Sequence, residues 1–170
     1  MGLVTKTIND LNYFSPVRSG YFVEDDVQRA LAKAITMTQR EMPDGLEIRR
    51  EYSEVPRTIC DVEQLQHAFY HLIQNAFDAM PHQGMLTLRL GAQSKMVWID
   101  VADTGVGIAE HNRDKIFNLF FSSKSVRGAG VGLYLVRRVV DEHAGSVVVQ
   151  PQVNSGATFR IILPVKGPSN

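Results

Sequence analysis

Four short stretches of this 170-residue sequence combine polar groups and glycine in ways that could hold a ligand. Asn75 lies in "HLIQNAFDAM", among residues spaced like the inward face of a helix. Asn is a poor mid-helix residue because its side chain competes for backbone hydrogen bonds. On an inward face it needs a polar partner. Two readings stay open: a buried structural amide, or an oxygen ligand for a hard cation such as Mg²⁺, which takes few protein ligands and keeps its waters. Asp103, in "IDVADTGVGIAE", ends an apolar run with a carboxylate that could accept a hydrogen bond from an exocyclic amine. Gly105 and Gly107 follow it, and backbone without Cβ atoms can lie close to a flat ring. A simple turn reads the same way. "GAGVGL", from Gly128 to Leu133, opens a helical pattern, and glycine at a helix start frees backbone N–H groups for an anion. It lacks the Lys-Ser/Thr of a Walker loop and the strand that precedes a dinucleotide fingerprint. In "SGATF", Gly156 and Thr158 stand at the start of the last strand, where a β-turn explains them equally well.

His67 and His71 are four apart and could meet on one helix face, but no HExxH glutamate or third ligand accompanies them, which argues against zinc. Asp78, one turn beyond Asn75, is equally a site residue or helix surface.

The elements that must position these groups follow from periodicity. Val4, Ile8 and Leu11 predict a helix stopped by Ser15-Pro16, and residues 16–24 read as extended. Asp25 or Asp26 would cap a helix in "VQRALAKAITMTQREM", with Val27, Leu31, Ala34 and Ile35 on one face. "LEIRREY" from Leu46 alternates like a strand. Asp61 precedes a strongly periodic helix with Leu65, Ala68, Phe69, Leu72, Ile73 and Ala76 inward. "MLTLRLGAQ" and "KMVWIDVAD" are two strands joined near Ser94. A helix in "VGLYLVRRVVDEHAG" should end at Gly145. "SVVVQPQ" and "ATFRIILPV" close the chain as a strand pair, leaving "KGPSN" as a tail. This order predicts an α/β two-layer sandwich: a mixed, mostly antiparallel sheet with helices on one face. Residues 104–130 hold no long element, well past the roughly 12–15 residues at which structureless connections become uncommon. Glycine at both borders suits a lid, although a static loop is equally consistent.

Composition bounds the rest. Eighteen basic residues cancel eighteen acidic ones, which removes the bulk electrostatic case for nucleic acid or a membrane surface. Cys60 is the one cysteine, so no disulfide framework exists and an intracellular, cytoplasmic setting is expected. No stretch reaches the roughly 20 apolar residues of a membrane helix. The first ten residues lack the apolar run of a signal peptide.

The order and spacing of the four stretches resemble the catalytic ATP-binding domain of bacterial sensor histidine kinases, in the superfamily shared with gyrase, the Hsp90 chaperones and MutL. The matching boxes are "HLIQNAFDAM", "DTGVGI", "IFNLFFSSK", "GAGVGLYLV" and "SGATF", in that order within residues 65–164. "NAFDAM" and the short "FFSSK…GAGVGL" lid resemble the nitrogen-regulator-like subgroup.

That resemblance implies a Bergerat-type fold over residues 16–165, with residues 1–15 as the end of a second dimerisation helix and 166–170 as tail. It implies ATP and Mg²⁺ as ligands, with Asn75 on the metal and Asp103 on the adenine. Gly105, Gly107, Ala79 and Ile108 would line the adenine side. Gly128, Gly130, Val131, Gly132 and Leu133 would cradle the phosphates, and Lys124 would reach them as a point charge. Thr158 would back Asp103. Phe117, Phe120 and Phe121 would anchor the lid by packing. His71 stands where gyrase relatives carry a water-polarising Glu, so efficient hydrolysis is not expected. No histidine sits in a phosphoacceptor context, so the acceptor should lie on a dimerisation domain outside this chain, with a response regulator receiver domain as second partner. An anti-sigma-factor-type serine kinase and a non-enzymatic nucleotide-gated module are the alternatives.

Overall fold

The computed structural model describes residues 21–121, 130–150 and 155–168. The helix expected at the N-terminus, Lys124 and Gly128 lie outside the described residues. In chain order the elements are β1 (Val23–Asp25), α1 (Val27–Thr38), β2 (Leu46–Tyr52), β3 (Thr58–Cys60), α2 (Val62–Ala79), β4 (Gly84–Gln93), β5 (Met96–Asp103), α3 (Gly132–Glu142), β6 (Ser146–Gln150) and β7 (Ala157–Pro164). Short 3-10 turns occupy Gln39–Glu41 and Glu110–Asn112.

Five strands form one sheet in the order β2-β4-β5-β7-β6. β2 pairs with β4 in parallel, and every other neighbour is antiparallel. Alternation sorts the strand residues onto two faces. Leu86, Leu88 and Leu90 of β4, Val97, Ile99 and Val101 of β5, and Phe159, Ile161 and Leu163 of β7 form the buried face under the helices. The opposite face carries Asp100, which takes both ends of the Arg160 guanidinium at 2.6 and 2.7 Å, while Arg160 stacks 4.8 Å above the Trp98 ring. α2 packs on β5 and α3 on β6, and α1 and α3 each lie against α2.

Local chemistry explains most boundaries. Asp26 caps α1 by accepting from the N–H of Gln28, and Asp61 caps α2 by accepting from Glu63 and Gln64. All six inward positions expected of α2 are buried. The β4–β5 hairpin turns on Ser94 and Lys95, both at positive φ, the two-residue geometry that matches strand twist even without an Asn-Gly pair.

Two small strands were not anticipated. β1 and β3 pair only with each other, as an antiparallel couple outside the main sheet. The end of the last strand stretch meets β3: the N–H of Ile59 donates to Val165 O, and Gly167, in the expected tail, sits at φ +66 against Ile59.

The end of α3 also differs in detail. Ala144 and Gly145 donate to Asp141 O and Val140 O, the paired bonds of a Schellman motif. The left-handed residue is Ala144, at φ 53, whereas Gly145 is needed because a Cβ there would meet Ile162 O at 2.5 Å. A left-handed non-glycine residue costs roughly 1–2 kcal/mol. Ala144→Gly is therefore expected to raise the unfolding free energy by about 1 kcal/mol in urea denaturation.

Candidate nucleotide site

Asp103 is the last residue of β5, 5% exposed and on the helix side of the sheet. Its Oδ1 accepts the N–H of Gly105 at 2.8 Å and the N–H of Ala157 at 3.2 Å. Two backbone donors on one oxygen fix the carboxylate's orientation. Thr104 ties the same strand end to its neighbours. Its Oγ1 accepts the Met85 N–H at 3.0 Å and lies 3.5 Å from Met80 Sδ at the end of α2.

The glycines around Asp103 are set by contacts within the chain. A Cβ on Gly105 would fall 2.6 Å from Ala79 O and 2.7 Å from Ala79 Cβ, so the loop passes directly against the last residue of α2. Gly107 adopts φ +75 and faces Gly156 O. Gly156, at φ +108, presses on Asp103 O, 2.1 Å from where its Cβ would stand. Room for a flat ring was the expected reason for Gly105 and Gly107. The contacts within the chain add a second: three backbone segments converge on the end of β5.

The expectation for Thr158 is corrected by register. Thr158 pairs with Ala102 and Ala157 with Asp103, so the Thr158 side chain leaves the sheet on the face away from the carboxylate. From β7, the Ala157 N–H donates to Asp103. No side-chain pattern could have named it, because any residue type supplies a backbone donor.

Asn75 is half-buried on α2, so it does not need the buried partner of a structural amide. Gln74 is the deeply buried amide of that turn, with no partner for its Nε2. His71, one turn before Asn75, is buried, and its Nδ1 lies 3.2 Å from where a Cβ of Gly132 would stand. The start of α3 is thereby placed beside the turn of α2 that carries His71 and Asn75. Gly132 opens α3 and Val131, 3% exposed, precedes it without a side-chain cap. With no cap there, N–H groups of the first turn are left for an anion, and the helix dipole favours one. An amide oxygen on α2, one turn from the His71–Gly132 contact, suits a triphosphate with a hard cation. Ile108 and Leu133 are half-buried against the core, Ala79 lies under Gly105, and Asp78 is exposed. Among the described residues, no group of three or more His, Cys, Asp and Glu could hold a metal ion.

The first part of the long loop is anchored. Ile116 and Phe117 are buried, and the Phe117 ring meets Phe159 edge-on at 6.2 Å. Phe121 also packs on the core. Phe120 does not: it is 70% exposed, in a left-handed conformation at φ 63. Its N–H donates to Gly130 O at 3.0 Å, and Gly130, at φ +67, has no room for a Cβ against Phe120. Phe120 thus closes the base of the loop through its backbone rather than by packing.

A buried strand-end carboxylate, a neighbouring helix carrying the half-buried Asn75 and a glycine-started second helix meet at one end of a two-layer α/β sandwich. The model of the histidine kinase-, DNA gyrase B- and HSP90-like ATPases matches residues 60–167, well over half of the chain, and the protein belongs to that family. Histidine kinase P4 of Formosa agariphila is 34% identical over 121 residues, covering 66% of this chain and 9% of its own length. The sensory histidine kinase/phosphatase NtrB of Salmonella typhimurium is 27% identical over 163 residues, covering 89% of this chain and 46% of the relative. This chain therefore spans less than half of either relative. Two solved histidine kinases share the fold. Full-length ShkA in complex with AMPPNP gives a TM-score of 0.82 at 24% identity, covering 99% of this chain and 36% of that one. ThkA in complex with the response regulator TrrA gives 0.77 at 21%, covering 96% and 47%.

Proposed function

We propose that this domain binds ATP with Mg²⁺ and presents the γ-phosphoryl group to a histidine on a dimerisation domain outside this chain. The observation that carries the reading is Asp103: a buried carboxylate held at the sheet end by two backbone donors, beside α2 and the start of α3. Its role is to accept the exocyclic amine of adenine, with Gly105, Gly107, Ala79 and Ile108 shaping that wall. Asn75 ligates the metal. Gly130, Val131, Gly132 and Leu133 form the phosphate end, joined by Gly128 and Lys124.

Bound Mg²⁺ would neutralise charge on the phosphates. The chain's own residues bind and orient the nucleotide, which is most of what phosphoryl transfer asks of a protein. The acceptor imidazole nitrogen forms the new N–P bond while the bond to ADP breaks, and its electrons leave with ADP. His71, where the hydrolysing relatives place a carboxylate, leaves water without a strong general base, so the phosphoryl group is kept for transfer. A response regulator receiver domain is the next acceptor, through an Asp. The pairing of a similar kinase with a response regulator supports that partner. The likeness to NtrB along most of the chain supports the nitrogen-regulator-like subgroup. No helix among the described residues is long and apolar enough to cross a membrane, and we assign the domain to the cytoplasm.

The test mixes the purified domain with labelled ATP and a separately expressed acceptor-helix dimer. Acid-labile, base-stable label on the dimer is the expected result. Acid-stable serine label would support an anti-sigma-type kinase, and no label a nucleotide-gated module. In the same preparation, Asn75→Ala should remove most of the Mg²⁺ dependence of ATP binding in calorimetric titration. Unchanged Mg²⁺ dependence would refute the ligand assignment.

A further inference from the structure

α2 and α3 meet twice. Beside the candidate site, Gly132 at the start of α3 lies against His71. At the far ends, the C-cap of α3 meets the N-cap of α2, where His143 is 1% exposed and Asp61 9%. There the Asp61 N–H donates to His143 Nε2 at 3.1 Å, and His143 Nδ1 donates to Val139 O at 2.7 Å. These partners fix a neutral ring with its proton on Nδ1. Asp61 does three further things. Its Oδ1 accepts from Glu63 and Gln64 at 3.0 and 3.1 Å, capping α2, and its Oδ2 accepts the Tyr21 N–H at 2.9 Å. Phe22 then meets the His143 ring edge-on at 4.8 Å. One junction therefore holds the helix of Asn75, the helix of Gly132 and the segment by which the chain enters the domain.

We propose that the Asp61–His143 junction couples the entering segment to nucleotide occupancy, with Asp61 and His143 as positioning residues. This rests on the ATP-binding reading. The physical reason is that a ligand between Asn75 and the start of α3 bears on both helices, whose other ends share this buried contact. A shift of either helix there must stretch the bond from Asp61 to His143 or the bond from Tyr21 to Asp61. Binding linkage is reciprocal, so the hold on Tyr21 and the affinity for nucleotide change each other by one factor.

Hydrogen exchange on the whole chain, with and without saturating Mg·AMPPNP, tests it. The Tyr21 and Asp61 amides, both donors at the junction, are expected to exchange about fivefold or more slowly with nucleotide. In His143→Asn that gain should disappear while nucleotide still binds, more weakly by a similar factor. Phe22→Leu, a milder change, should reduce the gain without abolishing it. If the parent chain binds Mg·AMPPNP but the two amides exchange at unchanged rates, the coupling is wrong and the site assignment survives. If His143→Asn folds and keeps the full gain, the coupling is likewise overturned. If the parent chain binds no nucleotide, both readings fall together.

Discussion

Asp103→Asn should weaken ATP and ADP alike, by roughly 10- to 100-fold, because a hydrogen bond to a charged group contributes about 1.5–3 kcal/mol. The substitution keeps the shape and one acceptor oxygen, so the bonds from Gly105 and Ala157 have a partner to return to. What changes is the outward side of the group, where a carboxylate oxygen becomes an amide donor facing an amine. The equal loss for both nucleotides separates this end of the site from the phosphate end. Calorimetric titration of both nucleotides checks it. Unchanged affinity, or a loss confined to ATP, would place the adenine elsewhere.

Gly156→Ala is expected to cost about 3 kcal/mol or more of unfolding free energy, through two independent penalties. Its φ of +108 is one that side chains rarely adopt, and the new Cβ would stand 2.1 Å from Asp103 O. Relief requires separating β7 from the end of β5, which also withdraws the Ala157 N–H from Asp103. Nucleotide affinity should therefore fall along with stability. Gly107→Ala is a graded control, because its Cβ would meet Gly156 O at a less severe 2.9 Å. Urea denaturation of the three proteins gives the order. A Gly156→Ala protein within 1 kcal/mol of the parent would mean that the convergence at the strand end is not tight.

A pH dependence follows from the buried His143 and the half-buried His67. Burial holds His143 and His67 below the ordinary imidazole range. The unfolded chain takes up protons near pH 6.5 and the folded chain resists them. Their contribution to stability is complete above about pH 6.5 and is lost as pH falls through the lower folded values. Denaturation midpoints should decline between about pH 7 and 5, and His143→Asn should flatten part of that slope.

The main elements were legible because they rest on local signals. α2 announces itself by 3.6-residue periodicity and the Asp61 cap, and β4, β5 and β7 by alternation over the buried face. β1 and β3 were not legible: three residues each, they exist because they pair with one another across the molecule. In the candidate site, side-chain chemistry pointed to Asp103 and to the α2 turn carrying Asn75. Errors arose where backbone decides. The resemblance put Thr158 behind Asp103, but strand parity sets Ala157, not Thr158, opposite the carboxylate. The resemblance made Phe120 a packing anchor of the lid, but it stands exposed with a left-handed backbone. Gly105 reads the same whether a ligand or Ala79 lies against it, and only the fold distinguishes these.

Amide chemical shifts recorded while Mg·ATP is titrated into the purified chain test the central claim most directly. The expected perturbations gather at Gly105, Gly107 and Ala157 around Asp103, and at Gly130 to Leu133 where α3 begins, with Asn75 between them. Shifts confined to the opposite sheet face around Trp98 and Arg160, or none at millimolar nucleotide, would contradict the account.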